Sequence, residues 1–184
     1  MSVYNTYVSI PHSTYAEWVS ETLGNSYDVD GIPQAQPYQC WDFASEFWYN
    51  LGFGQNYPIT GGNDAKGVWW NRESNKGDKF ELVYLLNDVK QGDVVCFSYG
   101  AYGHIGFANE DYDGGANLEI LSQNLSEPYV TIEDFGVLTF QGAFRYKEWN
   151  NTPPTPPSST RRGMPISSRS RRPFLRRICR RPIP

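Results

Sequence analysis

The sequence predicts an α+β domain in which N-terminal helices pack on an antiparallel β-sheet. Three observations point there. Apolar residues recur at helical spacing early in the chain, short β-branched and aromatic runs crowd the stretch from Asp93 to Tyr146, and glycine turns divide those runs.

The first element is a short helix over Pro11 to Val19, capped by Ser13 or Thr14 and stopped at Gly24. A polar loop from Asn25 to Gln39 follows, holding two aspartates, one glycine and two prolines. A second helix begins near Cys40, because Cys40, Phe43, Ala44, Phe47 and Leu51 share one face and Gly52 sits where a C-terminal cap belongs. The stretch from Gly54 to Gly77, rich in Gly, Asn and Trp, reads as a long surface loop with room for one helical turn. Strands are expected at Asp93–Tyr99, His104–Ala108 and Leu118–Leu121. A further pair, Val137–Phe140 and Ala143–Tyr146, is expected to turn at Gln141-Gly142. The domain is read as residues 1–150. A Pro/Thr/Ser linker over 151–160 and an Arg-rich, disordered tail over 161–184 complete the chain.

Composition narrows the function classes. With 10 Phe, 13 Tyr and 6 Trp in 184 residues, the chain can build a sizeable core. No run of about 18 apolar residues suggests a membrane span. No basic region followed by an apolar stretch opens the chain, so synthesis in a cytoplasm with release by cell lysis is expected. Three scattered cysteines, Cys40, Cys96 and Cys179, argue against a disulfide framework or a Cys-rich zinc site. Residues 1–150 carry 20 acidic against 7 basic side chains, a balance of −13, whereas the last 34 residues carry nine arginines and no acid. An acidic body disfavours nucleic acid as its partner.

The candidate chemistry centres on Cys40 and His104. A cysteine at a helix start has its thiolate favoured by the helix dipole and by free backbone N–H groups, which can also hold an oxyanion. Taken alone it would read as core packing; a polar loop running directly into Gln39-Cys40-Trp41-Asp42 shifts the balance. His104 follows a glycine turn and heads an apolar strand, a junction that fixes an imidazole while leaving it accessible. Cysteine on a helix and histidine later on a strand make a nucleophile–base pair. Cys96, inside an apolar strand, reads as packing. In the loop, Asp28-Val29-Asp30-Gly31-Ile32 sets two carboxylates on alternate residues of a tight turn, the way calcium is gathered; solvated turn aspartates are the plainer alternative. Trp41, Trp69, Trp70 and Tyr102 are candidates to line a substrate groove, or else core.

Four segments in order resemble the CHAP (cysteine, histidine-dependent amidohydrolase/peptidase) family of papain-like cell-wall hydrolases. They are Tyr38-Gln39-Cys40-Trp41-Asp42-Phe43-Ala44, Gly92-Asp93-Val94-Val95, Gly103-His104-Ile105-Gly106 and Leu121-Ser122-Gln123-Asn124. The resemblance implies a papain-like cell-wall hydrolase fold and acyl transfer on a peptidoglycan amide, with Cys40 as nucleophile and His104 as general base. It implies Asn124 as orienter of the histidine, with Ser122 standing where many phage members have glutamate. It extends the calcium set to Asp28, Asp30, Asp42 and the Ile32 carbonyl, and makes Gln39, Trp41, Trp70 and Tyr102 candidate oxyanion or substrate contacts. The expected enzyme is a monomeric phage lysin acting on a Gram-positive-type wall, as N-acetylmuramoyl-L-alanine amidase or as stem or crossbridge endopeptidase. A catalytically silent wall-binding module and a papain-like amidase on a non-wall substrate stand as the other readings. For the Arg-rich tail three remain open: a polycation gripping anionic wall polymers or membrane surfaces, a nucleic-acid arm, and an out-of-frame or truncated product.

Overall fold

A computed structural model describes residues 14–29, 39–62 and 64–149. His12, Asp30, Ile32, Cys179, the linker and the Arg-rich tail lie outside the described residues. The chain divides into two units, Met1–Thr152 and Pro153–Pro184, and every described residue belongs to the first.

Six strands form one antiparallel sheet: β1 Phe80–Val83, β2 Val94–Phe97, β3 His104–Ala108, β4 Asn117–Ser122, β5 Thr131–Gly136 and β6 Phe140–Tyr146. Their order is β1-β6-β2-β3-β4-β5. Helices α1 (Tyr15–Thr22) and α2 (Cys40–Asn50) contribute their apolar faces to the core on one side of it. This is the α+β architecture the sequence predicts.

The central strands are buried from end to end because both faces of the sheet are covered. Side chains alternate between the faces. Val94, Cys96, Ile105 and Phe107 join Trp18, Phe43, Phe47 and Trp48 of the helices. Val95, Phe97 and Ala108 join Leu118, Ile120, Phe135 and Ala143 in a second cluster. The first cluster is knit by rings: Trp18, fully buried, stacks on Phe43 at 5.4 Å and tilts against Phe107 at 5.6 Å. Truncating an aromatic so enclosed costs about 3–5 kcal/mol.

The ends of α1 follow from its sequence. The Thr14 hydroxyl accepts the Glu17 N–H at 3.2 Å, and the chain turns away at Gly24 in a left-handed conformation. The Gly54–Gly77 stretch holds two short helices, α3 (Gly67–Trp70) and α4 (Arg72–Lys76), where one turn was expected. Trp69 is a core residue rather than groove lining: its ring meets Phe144 at 5.6 Å.

The expected hairpin over 137–146 is not what forms. Val137–Thr139 is a 3-10 turn, and β6 runs straight through Gln141-Gly142. A Cβ on Gly142 would lie 2.1 Å from the Trp69 ring, so the glycine makes room for an indole, at a shift in β2–β6 register, instead of making a turn. The strand that precedes the turn is β5, paired with β4 rather than β6, and its run Thr131-Ile132-Glu133-Asp134-Phe135-Gly136 carries too little apolar alternation to stand out.

The Gly92-Asp93-Val94-Val95 segment has a structural explanation. Asp93 is buried and receives Arg145 of β6 through both oxygens, at 2.9 and 2.7 Å, together with the Lys90 N–H at 2.9 Å. Burial raises the Asp93 pKa in spite of Arg145.

Candidate active site

The polar loop ends at Gln39, which caps α2, and Cys40 is the first residue of the helix. The Gln39 N–H donates to Asp42 Oδ2 at 2.7 Å, fixing the first turn, and the Val29 N–H donates to Asp42 Oδ1 at 3.3 Å. Asp42 is therefore a buried clasp between the loop and the helix.

Cys40 keeps part of its surface exposed. Burial nevertheless pushes its thiol up to about 11, against backbone hydrogen bonds from Ile105, Trp41 and Cys40 itself. The Ile105 bond places the sulfur at the opening of β3, one residue from His104. The expected stabilisation of the thiolate by the helix start is thus present but outweighed by desolvation, and the thiol rests protonated.

His104 faces Phe97 across the β2–β3 ladder, and its ring lies flat on Phe135 of β5, centroids 5.1 Å apart and planes 13° from parallel. Its Nε2 is 3.0 Å from Ser122 Oγ. A Cβ on Gly106 would come within 2.9 Å of the Ser122 Cβ, so the glycine of Gly103-His104-Ile105-Gly106 lets β4 bring that hydroxyl in. Burial pushes the imidazole down to about 4, opposed by the negative charge of Glu133. The ring rests neutral.

Asn124, expected to orient the ring, lies beyond the end of β4, exposed, with φ 61° and its N–H on the Glu127 carbonyl. Ser122 is the residue that meets the histidine, because position 122 shares the His104 face of the sheet. Between them, Gln123 turns to the helix side. Fully buried, it accepts the Tyr27 N–H at 2.7 Å and donates to the carbonyls of Tyr27 at 2.8 Å and Gln39 at 3.0 Å. Sequence reasoning passed over Gln123, Glu133 and Phe135. The signal for Gln123 was its place inside a matched segment, while β5 offered none.

Of the candidate contacts, Trp41 is half-buried, its indole N–H held by the Pro58 carbonyl at 2.8 Å. Trp70 and Tyr102 are exposed, and Lys66 joins them: its N–H donates to the Tyr102 carbonyl at 3.1 Å, while its amine lies 5.8 Å over the Trp70 ring. Of the expected calcium ligands, Asp28 and Asp42 are described, the first partly exposed and the second buried. Among the described residues no group of three or more His, Cys, Asp or Glu gathers as a metal site.

A thiol at a helix start, bonded to the backbone of the residue after a strand-borne histidine, marks a candidate cysteine–histidine site, and the family whose model covers it is the CHAP domain. That model matches residues 27–124, and the chain belongs to this family. Among individual proteins it is similar to a D-alanyl-L-alanine endopeptidase of Streptococcus phage B30. The two are 30% identical over 148 residues, which cover 76% of this chain and 31% of that protein. In fold it is similar to the crystal structure of a wild-type endolysin, LysIME-EF1, with a TM-score of 0.55 at 19% identity, covering 73% of this chain and 63% of that one. The chain thus spans less than two thirds of either relative. No described helix is long and apolar enough to cross a membrane.

Proposed function

We propose that this domain is a phage-type peptidoglycan hydrolase that cleaves an amide bond of a Gram-positive-type wall through a Cys40 acyl-enzyme. The observation that carries the reading is the Cys40 thiol held against the backbone at the start of β3, one residue in sequence from a histidine whose Nε2 lies 3.0 Å from Ser122 Oγ. The endopeptidase relative supports a peptide bond as target; the muramoyl–alanine amide is the alternative.

With Nε2 engaged by Ser122, Nδ1 is the nitrogen that takes the thiol proton, so the resting tautomer carries its hydrogen on Nε2 and donates it to the Ser122 hydroxyl. Cys40 Sγ then bonds to the substrate carbonyl carbon. The oxyanion accepts N–H groups at the start of α2, and His104 returns the proton to the leaving amine as the C–N bond breaks. Water, deprotonated by the same imidazole, hydrolyses the thioester and regenerates the thiol. Trp70 and Tyr102 form an exposed aromatic rim for the substrate.

Calcium belongs to the proposal as a structural ion. Asp42 offers hard carboxylate oxygens, and Val29, flanked by Asp28 and Asp30, is held at that carboxylate, so the donors fit the cation in kind. Bound there, it would neutralise acidic charge beside the α2 start. Adding EDTA to the calcium-loaded protein is expected to lower its melting temperature; no change removes the ion from the reading.

The decisive experiment is clearing of purified walls by Cys40→Ala and Cys40→Ser, with circular dichroism to show that both fold. Loss of clearing is expected, and mass spectrometry of wild-type digests identifies the bond. Undiminished clearing by Cys40→Ala would overturn the mechanism, and binding without clearing by the wild type would make the domain a wall-binding module.

A further inference from the structure

The proton that His104 receives turns it into a cation, and the group on its Nε2 is a neutral hydroxyl. The Cys40 thiolate balances that charge only until sulfur bonds to the substrate, so a fixed counter-charge on the far side of the ring has to come from another group. On β5, Thr131, Glu133 and Phe135 alternate onto one face, and the Phe135 ring is the one stacked on the imidazole. Thr131 stands directly opposite Ser122 in the β4–β5 ladder, and Glu133 opposite Ile120. Glu133 is therefore two residues from the ring-stacking position and two from the partner of Ser122, about 7 Å along the strand from each. Its carboxylate is aimed rather than loose: Oε1 accepts the hydroxyls of Thr131 and of Ser126, the latter at 2.7 Å. Those hydroxyls, Thr131 foremost, hold its pKa below the usual range and so favour the ionised carboxylate.

We propose that Glu133 is the charged partner of His104, a positioning residue on the neighbouring strand that stabilises the imidazolium across Ser122 and Thr131. The proposal rests on the Cys40–His104 mechanism for its role in the reaction, but not for its effect on the histidine. The other groups around the ring are Phe97 from β2, Ser122 from β4 and Phe135 from β5, all uncharged. The start of α2 brings Cys40, protonated at rest, and Asp42, which is occupied by the Gln39 and Val29 N–H groups. Lys66 directs its amine to the Ala101 carbonyl at 2.6 Å. Asp134 alternates to the opposite face of β5, across from Glu119.

The test is an NMR titration of His104 in the full chain, with His12→Gln to leave one histidine, beside the pH profile of wall clearing. Glu133→Gln is nearly isosteric at a partly exposed position and is expected to fold normally. Removing a negative charge at this range should lower the His104 pKa by about 0.5 to 1 pH unit and carry the acidic limb of kcat/KM down with it. At the plateau kcat should fall roughly three- to tenfold with KM unchanged, and Glu133→Asp should restore most of it. Thr131→Val, which frees the carboxylate, should shift both readouts the same way by less. An unchanged His104 titration in Glu133→Gln overturns the proposal. Failure of the wild type to clear walls would fall on the catalytic reading instead, and the titration would still decide the role of Glu133.

Discussion

Replacing Gln123 by leucine should cost the domain about 2–6 kcal/mol. The side chain makes three hydrogen bonds, and no part of it is exposed. In Gln123→Leu the Gln39 carbonyl keeps the Asp42 N–H at 3.0 Å, but the buried Tyr27 loses Gln123 at both its N–H and its carbonyl. Each buried polar group left without its partner costs about 1–3 kcal/mol, and the near-equal volume of leucine keeps a cavity term out of the sum. Gln123→Glu should do no better, because it keeps the acceptor for Tyr27 but turns an oxygen toward two carbonyls. Urea unfolding at 25 °C, followed by tryptophan fluorescence, reads the difference. Clearing of purified walls in buffer should fall further than the folded fraction, because the Gln39 cap moves with its lost partner. A Gln123→Leu protein within 1 kcal/mol of wild type, clearing walls at the wild-type rate, would refute the reasoning.

Ser122→Ala removes the one hydrogen bond on His104 Nε2 while leaving the Phe135 stack, so kcat should drop about tenfold with KM little changed. Steady-state clearing against wall concentration separates the two constants. His104 titrates near 4 when folded against an ordinary 6.5, so below 6.5 the unfolded chain binds the extra proton. That contribution to stability is complete above pH 6.5 and is lost as pH falls through 4, amounting to about 3 kcal/mol. Urea midpoints of wild type and His104→Gln should therefore converge over that window, and parallel curves would count against a buried neutral imidazole. Arg145→Ala strips Asp93 of its bidentate partner and should cost about 1–3 kcal/mol, part of it recovered in Arg145→Ala with Asp93→Asn. Thermal melts of both variants check the recovery.

The placement of Cys40 at a helix start and of His104 at the head of a strand was legible because both signals are local. A polar loop meets a helical apolar period at one, and a glycine turn meets an apolar run at the other. The orienting residue was not, since which of Ser122, Gln123 and Asn124 meets the ring depends on where β4 ends and which face each takes. Asn124 lost that place to a left-handed backbone just past the strand. Gln123 acts on residues 96 and 84 positions away in sequence, which no window reaches. β5 was overlooked because most of its side chains meet solvent, and the apolar run Val137-Leu138 beside it drew the strand to the wrong place.

Gln123 grips both Tyr27 and Gln39, the two shoulders of the segment that runs from Asp28 to Tyr38. One amide therefore cinches the base of that segment like a drawstring, with the Val29–Asp42 bond as a second tie just inside it. Lengthening a segment already closed at its base adds only slowly to the entropy of closure, about 0.6 kcal/mol per doubling. Insertions or grafted binding sequences placed after Ile32, beyond the Val29 tie and the proposed calcium donors, should therefore leave Cys40 in register as long as both shoulders still find Gln123.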